Sequence, residues 1–130
     1  MAEPMTKGPM MRGPMSQVRV VQKRSGIRVG SRVAVADSWW GRFRGLLARP
    51  PLRSGEGLLL LQCGSVHTIG MAYPIDVAFL DADGRVVRRI ARLGPWRVGL
   101  GGEQAVHALE LPPGRLDETG IVPGDRLSWS

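Results

Sequence analysis

The stretch IDVAFLDADGRVVRRIARL, residues 75–93, decides the fold. Ile75 to Leu80 is an apolar run of strand length, and Arg85 to Leu93 is a second run rich in valine and isoleucine. Between them, Asp83-Gly84 is the strongest short-range signal for a tight antiparallel turn, because glycine accepts the positive φ that such turns require. The stretch therefore reads as a β-hairpin. Within its first arm Asp76 is out of place among Ile75, Val77, Ala78 and Phe79. A carboxylate in a central strand needs hydrogen bonds or a cation to offset its desolvation.

Working outward, the same logic finds further strands. Gln17 to Gln22 and Ile27 to Ala36 form a second hairpin around Lys23–Gly26, with Val29, Val33 and Val35 on one face and Arg28 and Arg32 on the other. Leu58 to Gln62, Ala105 to Leu111 and Asp125 to Trp129 complete about seven short strands. Gly94-Pro95 ends the central hairpin, Gly99 to Gly102 reads as a flexible connection, and Pro112 to Gly114 reads as a turn. One stretch changes period. From Asp37 to Pro50, Trp39, Phe43, Leu46 and Leu47 recur at helical spacing, Asp37 or Ser38 can cap the start, and Pro50-Pro51 stops continuation. The expected fold is mainly β, a compact mixed-strand sandwich or partly closed barrel with one short amphipathic helix. Residues 1–16, MAEPMTKGPMMRGPMS, read as a flexible arm, and residues 17–130 as a single globular domain.

Composition narrows the function classes. The chain has 130 residues and a formal net charge of +7, with 18 lysines and arginines against 11 acidic residues. The charge is uneven: residues 54–84 hold four acidic side chains and no basic one, while the first 53 residues are arginine-rich. Such a balance favours acidic partners without naming one. Cys63 is the single cysteine, so an intrachain disulfide is excluded and a reducing, cytoplasmic setting is the default expectation. No apolar run approaches a membrane span, so no membrane insertion is expected. No phosphate-binding loop, dinucleotide fingerprint or internal repeat is present.

The residues that can carry chemistry cluster in Cys63 to Asp76. Histidine near a thiol can stabilise the nucleophilic thiolate, so Cys63 and His67, with Asp76 orienting the imidazole, suggest a hydrolase. A packed, unreactive cysteine is the simpler reading. Cys63, His67, Asp76, His107 and Glu110 are metal-donor types, but their spacing matches no recognised ligand set, and His107 and Glu110 fall on opposite faces of a regular strand. No metal, cofactor or catalytic residue is therefore assigned. Trp96 follows Gly94-Pro95 and stands beside Arg97, which suggests a binding rim.

These residues also carry a family pattern. Arg44-Gly45-Leu46-Leu47 followed by Arg49, then Val66 to Asp81 with its histidine-threonine, methionine and proline-isoleucine-aspartate features, resembles the DUF192 family. Leu109-Glu110-Leu111, Gly114, Gly120 and Gly124-Asp125 extend the resemblance, which spans roughly Ala34 to Trp129. Leu47 stands where many relatives use methionine, and His67-Thr68-Ile69-Gly70-Met71 departs from the tryptophan-methionine-lysine-asparagine-threonine version of another branch. The resemblance implies a compact, mainly β fold with a short helix, and no general activity, substrate or cofactor. It groups His67, Thr68, Met71, Asp76 and Glu110, beside Cys63, as candidates for a polar centre that is structural or faces a ligand.

The leading expectation is a small binding or interaction module for a protein or small ligand. A Cys63/His67 hydrolase and a basic nucleic-acid-binding accessory protein are the alternatives.

Overall fold

The computed structural model describes residues 16–37 and 51–130. The expected flexible arm lies outside these residues except for Ser16. So does the expected helix, except that Asp37 closes a strand.

Nine strands are present among the described residues: β1 (Gln17–Gln22), β2 (Arg28–Asp37), β3 (Glu56–Leu61), β4 (Ser65–His67), β5 (Ile75–Leu80), β6 (Val86–Leu93), β7 (Val98–Leu100), β8 (His107–Leu111) and β9 (Leu127–Trp129). One short helix, α1 (Arg115–Thr119), follows β8. Seven strands form a mixed sheet in the order β6-β5-β8-β3-β2-β1-β9. Both expected hairpins occur: β1 pairs with β2 and β5 with β6, each antiparallel. The parallel contact is β2 with β3, which requires a crossover rather than a turn.

The two ends of this sheet approach each other. An isolated bridge joins Arg85 to Arg126, the Val86 N–H donates to the Asp125 carbonyl at 2.7 Å, and the Leu127 N–H donates to the Gly84 carbonyl at 2.8 Å. The sheet thus closes into a half-barrel. Gly84 is required there twice over: its φ is +84°, and a Cβ would stand 2.5 Å from the Leu127 carbonyl oxygen.

Alternation along the strands divides the core between the two faces of the sheet. Val20, Val33, Leu59, Ala78, Leu80, Val86, Leu109, Leu111 and Leu127 fill the interior of the half-barrel, where Leu116 and Ile121 join them. Leu58, Leu60, Ile75, Val77, Phe79 and Ala108 point to the other face. That face is covered by Cys63, Val66 and Met71, which come from the separate two-stranded ribbon of β4 and β7 and its flanks. Gly99 lies within β7, so the expected flexible connection is a strand in part. A Cβ on Gly99 would lie 3.0 Å from the Ile90 side chain, and its absence lets the ribbon rest flat on the sheet.

Candidate functional site

The expected polar centre is divided by the sheet. Asp76 is fully buried on the interior side, between Ile75 and Val77 of the other face. Its Oδ1 accepts the Arg92 N–H at 2.9 Å, and its Oδ2 accepts the N–H groups of Gly114 at 3.1 Å and Leu116 at 2.9 Å. One carboxylate therefore holds the end of β6 and the start of α1 against β5. Arg92 takes a φ of +55° where the β5–β6 register shifts, which turns its N–H toward Asp76.

Glu110 lies on the opposite face. Its register partners are Leu58 and Val77, and both belong to the cluster beneath the ribbon. It is 5% exposed, and its carboxyl has no hydrogen-bond or ion-pair partner among the described residues. Burial raises its pKa from 4.5 to about 8, so the neutral acid predominates at pH 7.

Cys63 is buried under the ribbon, and its thiol donates to the Ser65 carbonyl at 2.9 Å. Val66 points down with it into the core, so His67 faces the other side of the ribbon, where its Nδ1 accepts the Ile69 N–H at 3.3 Å. Among the described residues no hydrogen bond joins the thiol to the imidazole. Met71 packs in the core beneath. His107 is engaged elsewhere: its Nδ1 accepts the Gln62 N–H at 3.0 Å and its ring meets Trp129 edge-on. Its burial lowers its pKa, partly countered by Asp81. Among the described residues, no group of three or more histidine, cysteine, aspartate or glutamate side chains is placed to hold a metal ion.

Thr68 links the polar tract to the Trp96–Arg97 rim. It is fully buried, yet all its polar atoms are used. Its hydroxyl donates to the Gly94 carbonyl and accepts the Arg97 N–H at 2.8 Å. Its own N–H donates to the Arg97 carbonyl at 2.8 Å, and its carbonyl accepts the Trp96 N–H at 3.0 Å and the Met71 N–H at 3.0 Å. The turn 94–97 is thereby clamped from one side. Trp96 sits on it at a φ of +61° with its side chain directed to solvent, 68% exposed. A non-glycine residue held at positive φ is a local cost that the clamp offsets.

Beyond Trp96 the exposed face continues through Val98 and Leu100 of β7, with Ile69 beside them. Sequence reading missed these three. The signal was present in Val98-Gly99-Leu100, an apolar alternation whose inward member is glycine, but the glycine suggests a loop.

The molecule has known likenesses. A UPF0127 protein of Pyrococcus furiosus is 34% identical over 113 residues, covering 85% of this chain and 95% of that protein. One from Thermococcus sibiricus is 32% identical over 114 residues, covering 85% and 73%. Among solved structures, a Novosphingobium aromaticivorans protein of unknown function superposes with a TM-score of 0.74 at 26% identity, covering 87% of this chain and 84% of that one. A Sinorhizobium meliloti protein described as a "putative transcription regulator" gives 0.75 at 25% identity, covering 90% and 98%. The half-barrel is thus a shared architecture, and the model of DUF192, described as Uncharacterized ACR, matches residues 20–129. With that match spanning nearly all of the folded chain, the protein belongs to the DUF192 family.

Proposed function

We propose that this chain is a binding module whose recognition surface is the outer face and open edge of the β4–β7 ribbon, and that its ligand is an extended, apolar and acidic segment of a partner protein. The observation that carries this reading is Trp96, 68% exposed on a turn that Thr68 clamps. A pre-positioned indole offers a large contact area at little cost in conformational freedom.

Two further features support an extended partner. β7 pairs only with β4, so its other edge is open among the described residues. Exposed edges are commonly guarded by charges or proline, whereas β7 presents Val98 and Leu100. An added strand would gain main-chain hydrogen bonds there, with alternate side chains giving specificity. The acidic requirement comes from charge: residues 85–102 contain five arginines and no acidic residue, and Arg97 stands between Trp96 and Val98 of the apolar face. The description of the Sinorhizobium meliloti relative as a regulator agrees with work done by binding.

The test is titration of an isotope-labelled chain with a short peptide of alternating leucine and glutamate. Amide shifts should concentrate in Ser65–Ile69 and Trp96–Leu100, and Trp96→Ala should weaken binding by about tenfold or more. Absence of binding, shifts centred elsewhere, or an unchanged affinity in Trp96→Ala would reject this surface. A concentration-dependent dimer that buries β7 would make a second copy the occupant and overturn the peptide assignment.

A further inference from the structure

The seam that closes the half-barrel brings together basic residues that are far apart in sequence. Most other arginines there or nearby are engaged by the protein itself. Arg89 donates to the Ile121 carbonyl at 2.7 Å and pairs with Asp117. Arg115 donates to the carbonyls of Val29 at 3.0 Å and Arg28 at 2.8 Å. Their charges hold the fold.

Lys23, Arg126 and Arg85 differ. The Lys23 N–H donates to the Arg126 carbonyl, just beyond the Gln22–Leu127 pair, and Arg126 is in turn the bridge partner of Arg85. Gln22, Leu127, Gly84 and Val86 are buried, so the three intervening cationic side chains all project outward and are exposed. Arg126 consequently lies between two like charges on adjacent strands, and strand spacing of about 4.8 Å confines all three to a row roughly 10 Å long. Like charges placed opposite each other destabilise a sheet. Neither the Lys23 nor the Arg126 side chain has a hydrogen-bond or ion-pair partner among the described residues, and Arg85 has only the Gly124 carbonyl at 3.1 Å.

Two acidic groups sit beside the row and offset it in part: Arg85 and Arg126 both help to lower the pKa of Asp81. Asp125 is committed to Arg24 Nε at 2.8 Å, Gln22 Nε2 at 2.9 Å and the Val122 N–H at 3.0 Å. Asp81 is committed to the N–H groups of Asp83 and Arg85, both at 2.9 Å. Asp125 also serves to orient Arg24, whose Nη2 reaches the Gly120 carbonyl at 3.1 Å. Lys23, Arg24, Arg85 and Arg126 line one open cleft of about 410 Å³ with Gly124 and Asp125. Lys23 and Arg126 also line an adjoining cleft of about 280 Å³ that includes Asp83, Ser128 and Trp129.

We propose that this cleft is an anion site for a phosphate-bearing ligand with at least two phosphate groups, bound by Lys23, Arg85 and Arg126, with Arg24, already paired to Asp125, at its margin. Guanidinium groups suit phosphate because their N–H donors form a planar fork, and that of Arg85 is already oriented by the Gly124 carbonyl. The site lies at the turn end of the β5–β6 hairpin. The β4–β7 ribbon packs near the other end, so the two surfaces are independent.

Inorganic pyrophosphate, titrated calorimetrically into the full chain at low salt, is the first probe. Binding should weaken at least about tenfold in Lys23→Ala/Arg126→Thr, and it should weaken with added salt. The same substitutions carry a second readout. Arg126→Thr should lose most of the thermal stabilisation that pyrophosphate confers on the wild-type chain. A stabilisation by pyrophosphate that persists undiminished in the variant would overturn the proposal, as would no pyrophosphate binding or binding unchanged in the variant. A single-stranded oligonucleotide forms the other arm. If it binds through these residues while pyrophosphate does not, the ligand is a nucleic-acid chain and the small-anion assignment fails.

Discussion

Asp76 and Glu110 are two buried carboxyl groups on neighbouring strands of one sheet, and their surroundings are opposite. Asp76 faces the barrel interior and accepts three backbone N–H groups from distant parts of the chain. Glu110 faces the ribbon side, among Leu58 and Val77, with no acceptor or donor partner among the described residues. The first is a structural device. It replaces backbone hydrogen bonds that neither the β6 bulge nor a five-residue helix can make for itself, since Gly114 caps α1 without any side-chain bond. The second contributes no such bond and is tolerated because burial keeps it neutral. Similar chemistry thus has a stabilising role on one face and a destabilising one on the other.

The largest expected effect concerns Glu110. Its folded pKa of about 8 lies above the ordinary value of 4.5, so the folded state retains a proton that the unfolded state releases between these limits. Stability is therefore fully present below about pH 4.5 on this account and is lost as pH rises toward 8, by an amount on the order of 5 kcal/mol as an upper limit. Urea titrations across this range should show the fall, and Glu110→Gln should flatten it. A wild-type stability that rises through the same window would show that Glu110 ionises in the folded chain. Asp76→Ala should come next, at about 3–4 kcal/mol, because three enclosed backbone donors lose their acceptor. Amide exchange should accelerate selectively at Arg92, Gly114 and Leu116. Unchanged exchange at these three positions would break the contrast with Glu110.

This contrast shows what was legible beforehand. Asp76 was visibly anomalous in an apolar strand, and the need for hydrogen bonds followed from that alone. The donors did not, because Leu116 is 40 positions away and belongs to a helix that its own sequence hardly announces. The long strands β1, β2, β5, β6 and β8 were readable because each has enough alternating or apolar residues to declare itself. β4 and β7 have three residues each and stand only by pairing with each other over the sheet. The half-barrel seam was beyond local reading for a related reason. Lys23, Arg85 and Arg126 occupy three separate turns or strand ends, and closure alone brings them into a row. Asp76 and Glu110 are close in register, yet strand alternation sends them to opposite faces of the sheet, and in β4 it turns His67 away from the core that holds Cys63.

Thr68 sharpens the comparison at the smallest scale. It resembles Asp76 in being fully buried and in giving its side-chain oxygen to the backbone of another segment, here the Gly94–Arg97 turn. Thr68→Val preserves shape but leaves the Gly94 carbonyl and Arg97 N–H without this partner, so a loss of about 1–2 kcal/mol is expected. The more telling outcome is local. Trp96 should become more mobile on the nanosecond timescale and the Arg97 amide should exchange faster, while Arg92 and Gly114, held by Asp76, remain protected. Thr68→Ser retains the hydroxyl and should preserve the order of Trp96. If Thr68→Val leaves Trp96 as ordered as before, the clamp is not what positions the indole, and the turn must hold its left-handed conformation through the Trp96 N–H to Thr68 carbonyl bond and packing alone.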